Sequence, residues 1–150
     1  MVSSFNLIGG EDNILSTARP GEGDAVEFYT YTKDLRESTI NVVGKDGTSE
    51  KTYSYTDYGE TTEQGENDFY NEVCYGGGIY DKTTGLYYLN ARYYSPENGS
   101  FLTQDTYRGS RSKTETLNLY GYCAGNPISY TDPSGHCLFA RRAVGDSLGK

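Results

Sequence analysis

From Ala25 onward, short runs of Val, Ile, Thr and Tyr are broken at intervals by Asp, Asn, Pro and Gly: VEFYTYT, then STINVV, a Lys45-Asp46-Gly47 corner, then KTYSYTDYG. β-Branched and aromatic runs separated by an Asp-Gly pair are hairpin signals. They predict that residues 37–43 pair with residues 50–57. Further on, VCYGGGIYDKTTGLYYLNARYYSPENGSFL predicts three strands, one ending near Tyr80, one from Leu86 to Tyr94, and a short one over residues 100–103. The corners between them, residues 81–85 and 95–99, each close on a glycine, the residue that a left-handed turn position requires. The expected fold is therefore all-β, built of antiparallel hairpins.

Other stretches carry less pattern. Residues 1–24, with Gly9, Gly10, Pro20, Gly21 and Gly23, read as a linker or irregular lead-in. Residues 60–71 are acidic and polar and read as a loop. Helix is expected at most as one turn at Leu117–Tyr122, before Gly125-Asn126-Pro127, and over Leu138–Leu148; neither stretch has caps at both ends. The C-terminal tail is thus expected to be short and irregular or helical.

Composition sharpens the picture of the core. Only 35% of the 150 residues are hydrophobic, and Tyr supplies 16 of the aromatic residues against 5 Phe. Such a chain buries little aliphatic surface, so backbone ladders and Tyr rings lying across strand neighbours are its expected stabilisers. The net charge of −8 argues against a nucleic-acid footprint, which needs clustered Lys and Arg. No apolar run is long enough to span a membrane, and the N-terminus MVSSFNLIGGEDN lacks the basic lead and apolar stretch of a signal peptide. Cys74, Cys123 and Cys137 have no Cys-x-x-Cys spacing and His136 is the only histidine, so no metal site and no cofactor is expected.

The ordered series Gly-Leu-Tyr-Tyr (85–88), Ala-Arg-Tyr-Tyr (91–94), Phe-Leu-Thr-Gln-Asp (101–105), Leu-Asn-Leu-Tyr (117–120), Asn-Pro (126–127) and Asp-Pro-Ser-Gly (132–135) closely resembles the RHS repeat-associated core domain of RHS and YD-repeat proteins. Upstream, TYSYTDYGE (52–60) resembles a degenerate YD repeat. The resemblance implies a segment of a β-shell divided into a lead-in (1–24), degenerate YD-repeat hairpins (25–70), the core (71–135) and a variable tail (136–150). It further implies a longer parent, secreted or at the cell surface, whose shell encloses a C-terminal toxin or effector. Open sheet edges left by the rest of the shell would favour self-association.

Candidate chemistry centres on Asp105 and Asp132. In the family, two Asp-Pro-x-Gly-type segments are implicated in an aspartyl self-cleavage just beyond the second, which places the cleavage region of this chain at Gly135 and His136 and implies autoproteolysis only in the context of a full-length parent. Two carboxylates held close cannot both ionise freely, so one can act as acid while the other activates water. The chain departs from the family pattern at Thr106, where Pro is frequent, at His136, where Leu is usual, and at Ser95 and Ser100, which replace an Asp and an Arg. The competing reading is that both aspartates are turn formers accepting hydrogen bonds from nearby N–H groups. Arg92, set among tyrosines, is a candidate to stack on a ring or hold a carboxylate, or is simply a strand residue pairing across the sheet. Tyr87 and Tyr93 are candidates to stack on sugar rings if the chain is instead a binding module for cell-surface glycans. His136 lacks an evident orienting partner in the sequence and reads as a turn residue.

Overall fold

The computed structural model describes residues 4–9, 13–21, 23, 25–65, 68–132, 134–136 and 139–140. Six strands form one antiparallel sheet in chain order: β1 (Phe5–Ile8), β2 (Ile14–Pro20), β3 (Val26–Lys33), β4 (Thr39–Gly44), β5 (Ser49–Tyr55) and β6 (Thr61–Gly65). A second antiparallel sheet, again in chain order, contains β7 (Ile79–Asp81), β8 (Leu86–Leu89), β9 (Arg92–Ser95) and β10 (Ser100–Phe101). Beyond it lies a two-stranded ladder of β11 (Tyr130–Thr131) and β12 (Phe139–Ala140). The protein is all-β, and among the described residues the only helical elements are short 3₁₀ turns. No helix among them is long and apolar enough to cross a membrane.

The hairpin around Lys45-Asp46-Gly47 forms as β4 and β5, with Asn41 opposite Thr52 and Val42 opposite Lys51. Three expectations are corrected. The lead-in is not irregular, since its glycines lie outside β1 and β2, and those two strands pair along their length. The acidic stretch after Glu60 forms β6, an edge strand whose polar residues suit a sheet border facing water. The long strand from Leu86 to Tyr94 is a hairpin instead: the chain reverses at Asn90, whose φ of 55° suits the asparagine side chain, and the Ala91 N–H donates to the Leu89 carbonyl at 2.6 Å. In the tail, Phe139–Ala140 pairs as a strand, while the remainder of the helix expected over 138–148 lies outside the described residues.

One hydrophobic cluster serves both sheets. Tyr31, Val42 and Tyr53 from the first meet Tyr87, Leu89, Tyr94 and Phe101 from the second, with Val73, Cys74, Tyr75 and Tyr122 between them. Tyr75 is the hub. Its ring centroid lies 5.7 Å from that of Tyr55, 6.0 Å from Tyr87, 6.4 Å from Tyr94 and 6.1 Å from Tyr122. Gly59, at a φ of 92°, leaves room for that ring, because a Cβ there would stand 2.6 Å from the Tyr75 ring. The strand period of two sorts the tyrosine pairs: Tyr87, Leu89, Arg92 and Tyr94 point inward, and Tyr88 and Tyr93 meet outside with their rings tilted at 50° and centroids 5.3 Å apart.

Burial pushes the phenols of Tyr53, Tyr55, Tyr87, Tyr94 and Tyr122 well above their ordinary value, and raises the Cys74 thiol to about 12. A raised folded-state value means that the unfolded chain gives up protons first as pH climbs, so stability is full below about pH 10 and falls above it. The expected outcome is that the urea midpoint drops steeply above about pH 10. The tyrosinate absorbance of the buried rings should appear together with loss of the circular dichroism signal; ionisation of those rings with the sheet intact would contradict this core.

Candidate functional site

β9 carries Arg92 inward at its first position, two residues before Tyr94, so the alternation that builds the core also buries a guanidinium at 5% exposure. Its Cζ lies 3.7 Å from the Phe101 ring centroid, which gives the flat cation a flat apolar floor. Its nitrogens are distributed among separate segments: Nη2 to Asp105 Oδ2 at 2.8 Å, Nη1 to the Leu119 carbonyl at 3.1 Å and, more weakly, to that of Thr103 at 3.5 Å. Nε donates to the Gly135 carbonyl. The same Nη2 faces Asp132 Oδ2 at 3.9 Å. Burial lowers the Arg92 pKa from its ordinary value, opposed by the two carboxylates.

Each aspartate arrives by its own route. The Asp105 N–H donates to the Leu119 carbonyl at 2.9 Å, because residues 119–121 return beside β10: Phe101 N–H meets the Tyr120 carbonyl at 2.9 Å, and Ser100 bridges to Gly121. Asp105 Oδ1 accepts from the Tyr107 N–H at 2.9 Å, so the carboxylate makes its own turn as well as the ion pair. Asp132, 5% exposed, comes directly after β11, and its Oδ1 accepts from the His136 N–H at 3.0 Å and from Ser134 Oγ at 3.3 Å. Gly135 sits at a φ of 71°, where a Cβ would stand 2.4 Å from the Leu89 carbonyl; only glycine brings the chain this close to the hairpin corner.

Asp105, Asp132, Arg92, Gly135 and His136 therefore meet at one place. The peptide bond joining Gly135 to His136 is held at both ends, its carbonyl by a cation and its N–H by a carboxylate. Two features add to the reading of the sequence. A guanidinium faces both aspartates, so their charges are balanced by a cation as well as set against each other. And His136 does have an orienting partner: its Nδ1 lies 3.0 Å from Asp105 Oδ1. Asp105 and His136 are separated by 31 residues, and no local pattern pairs them.

The glycan candidates separate. Tyr87 is corrected: it is fully buried, with its hydroxyl on Thr61 and its ring stacked on Tyr80 at 4.7 Å, and a ring without an open face cannot stack on a sugar. Tyr93 is 52% exposed, on the outer face beside Tyr88. Cys74 and Cys123 are buried, and Cys137 lies outside the described residues.

The Teneurin YD-shell family model matches residues 21–128. The tRNA3(Ser)-specific nuclease WapA of Bacillus spizizenii is 37% identical over 128 residues, which is 78% of this chain and 6% of that protein. Toxin subunit YenC2 of Yersinia entomophaga is 41% identical over 66 residues, 44% of this chain and 6% of the subunit. Among solved structures, a chain of the TcdB2-TccC3-Cdc42 crystal structure superposes with a TM-score of 0.75 at 25% identity, covering 90% of this chain and 6% of that one.

Removing the cation would leave two carboxylates and a carbonyl facing one another without it. Arg92→Leu is expected to lower the free energy of unfolding by about 3–5 kcal/mol, read from urea denaturation. Arg92→Lys restores only part of this loss, because one ammonium cannot serve Asp105, Leu119 and Gly135 in a planar fork.

Proposed function

The chain belongs to the YD-shell family, and on that footing we propose that it is a segment of a toxin-enclosing β-shell in a longer parent, the segment that closes the shell and positions the exit of a C-terminal toxin or effector. The observation that carries this reading is the superposition on the TcdB2-TccC3-Cdc42 chain, which takes in 90% of this chain. The chain spans about 6% of the length of that protein and of the WapA nuclease, so enclosure is a property of the parent and this segment contributes wall and closure. The proposed partners are the remaining shell and the C-terminal segment, and the proposed setting is a parent that leaves the cell or stands on its surface.

A second reading is favoured by a specific observation. The peptide bond between Gly135 and His136 has its carbonyl on the Arg92 Nε and its N–H on Asp132, with Asp105 paired to the same guanidinium. A cation on a carbonyl oxygen is where charge develops when water adds, and a carboxyl group at the nitrogen is where a departing amine is received. This supports self-cleavage after Gly135, releasing the C-terminal segment, with Asp105 and Asp132 as the carboxyl groups of the site and Arg92 as its electrostatic stabiliser.

The two readings are tested separately. A parent that carries its C-terminal segment is expected to hold that segment resistant to added protease, and deletion of residues 71–135 should expose it; equal resistance in both would remove the closing role. For cleavage, intact mass spectrometry is expected to show a fragment ending at Gly135 in the parent, and Asp132→Asn should abolish it. Identical uncut masses for both forms would reject the chemistry and leave the architectural reading in place.

A further inference from the structure

The corner that leads into β2 and the corner that leaves β3 lie at the same end of the first sheet. Continuing the β2–β3 register outward from Ser16, which stands opposite Thr30, puts Asn13 directly opposite Lys33. Both are half-buried, and Lys33 Nζ donates to Asn13 Oδ1. The nitrogen of that amide is held as well, since Asn13 Nδ2 donates to Glu37 Oε2. An amine, an amide and a carboxylate thus stand in line. The Asn13 Cγ lies one C–O bond, about 1.2 Å, beyond the oxygen that the amine touches.

The surrounding chain braces this line. Glu37 sits at a φ of 62°, a conformation that a residue with a side chain adopts at a cost, so what the position keeps is the carboxylate. Its N–H donates to the Asp34 carbonyl at 3.0 Å, and the Ser38 N–H donates to Asp34 Oδ1 at 2.9 Å. Ser38 Oγ in turn accepts from the Gly76 N–H at 2.9 Å, which brings the turn at Tyr75–Gly77 over the cluster. A Cβ on Gly77 would stand 3.6 Å from Asn13 Oδ1 and 3.7 Å from Lys33 Nζ, so this backbone roofs amine and amide against water. Burial lowers the Lys33 pKa to about 8, opposed by Glu37, the charged group that acts on it. Part of Lys33 is therefore uncharged near neutral pH, as a nucleophilic amine must be.

We propose that Lys33 and Asn13 join in an intramolecular amide cross-link, with Glu37 as the group that moves the proton. The uncharged Nζ adds to Asn13 Cγ and a C–N bond forms. Glu37 takes a proton from Nζ and delivers it to Nδ2, the bond between Cγ and Nδ2 breaks, and ammonia leaves past the exposed carboxylate. A primary amide and an amine become a secondary amide and ammonia, so the step needs no oxidant, cofactor or added reactant. The product staples the corner between β1 and β2 to the corner between β3 and β4, a covalent clasp on a sheet that has little aliphatic core. It stands independently of both readings of the closing segment and the Gly135 bond.

Intact mass and peptide mapping of the full chain test this, on the unaltered form, Lys33→Met, Asn13→Ala and Glu37→Gln, each checked for an unchanged circular dichroism spectrum. The unaltered chain is expected to be lighter than its sequence by one ammonia, and trypsin should fail to cut after Lys33 once the chain is unfolded. A glutamate-specific protease, which cuts between the two residues at Glu22 and Glu27, should release the segment of Asn13 joined to that of Lys33. Lys33→Met and Asn13→Ala should keep their full mass, and Glu37→Gln should close about 10²–10⁴-fold more slowly. An ammonia loss that persists in Lys33→Met belongs to an asparagine closing on its own backbone and overturns the cross-link. Full mass and ordinary cleavage after Lys33 in the unaltered chain, following long incubation at about pH 8, overturn it as well. Closure of Glu37→Gln at the unaltered rate removes the proton-moving part assigned to that carboxylate.

Discussion

A buried tyrosine makes two demands at once: its ring removes apolar surface from water, and its hydroxyl must find an acceptor or carry the cost of desolvation. With 16 tyrosines and few aliphatic residues, this chain meets the first demand in its core and the second in its turns. Tyr55 donates to the Thr39 carbonyl at 2.5 Å, Tyr75 to that of Asp57 at 2.7 Å and Tyr94 to that of Tyr58 at 2.6 Å. The last two acceptors lie in the corner between β5 and β6, whereas the rings come from the middle of the chain and from β9. Hydroxyls on the far side of the core thus hold turns of the first sheet, and two thin sheets become one body without a large aliphatic interior.

Arg92 obeys the same logic with a charge in place of a hydroxyl. It occupies an inward position of β9, its guanidinium lies over Phe101, and its donors reach the carbonyls of Leu119 and Gly135 as a tyrosine hydroxyl would reach a turn. What the cation adds is the recruitment of Asp105 and Asp132. The candidate site is therefore continuous with the packing of the fold. The alternation that sends Tyr87, Leu89 and Tyr94 inward also turns Arg92 inward, where it meets the Gly135 carbonyl.

Local pattern made the β4–β5 hairpin legible because Asp46-Gly47 is an unambiguous corner between β-forming runs. It hid the corner at Asn90-Ala91, where no glycine or proline interrupts LYYLNARYYS and a single left-handed asparagine reverses the chain. Strands β1, β2 and β6 were obscured for opposite reasons: the first two by the glycines and proline at their ends, the third because polar residues on a sheet border look like a loop. At the site, the two aspartates and Arg92 stand in blocks that resemble the RHS core, so attention to them comes from sequence. Their meeting does not. Arg92 lies 13 residues from Asp105 and 43 from Gly135, and those distances are closed only by the return of residues 119–121 beside β10 and the turn after β11.

That dispersal bears on when the proposed chemistry can start. An unfolded or half-made chain holds no oxyanion partner for Gly135, since Arg92 reaches that carbonyl only once the β8–β9 corner has accepted Gly135 at a spot too tight for any side chain. Nor does it hold Asp105 beside the bond, since the Asp105 N–H is anchored on the Leu119 carbonyl in the folded chain. Hydrolysis that requires all of these contacts is confined to the finished core. In the proposed enclosing parent, this requirement would place the proposed cut after closure, without a separate timing device. The fold itself supplies the condition, because the contacts on the Gly135–His136 bond come from segments distant in the chain.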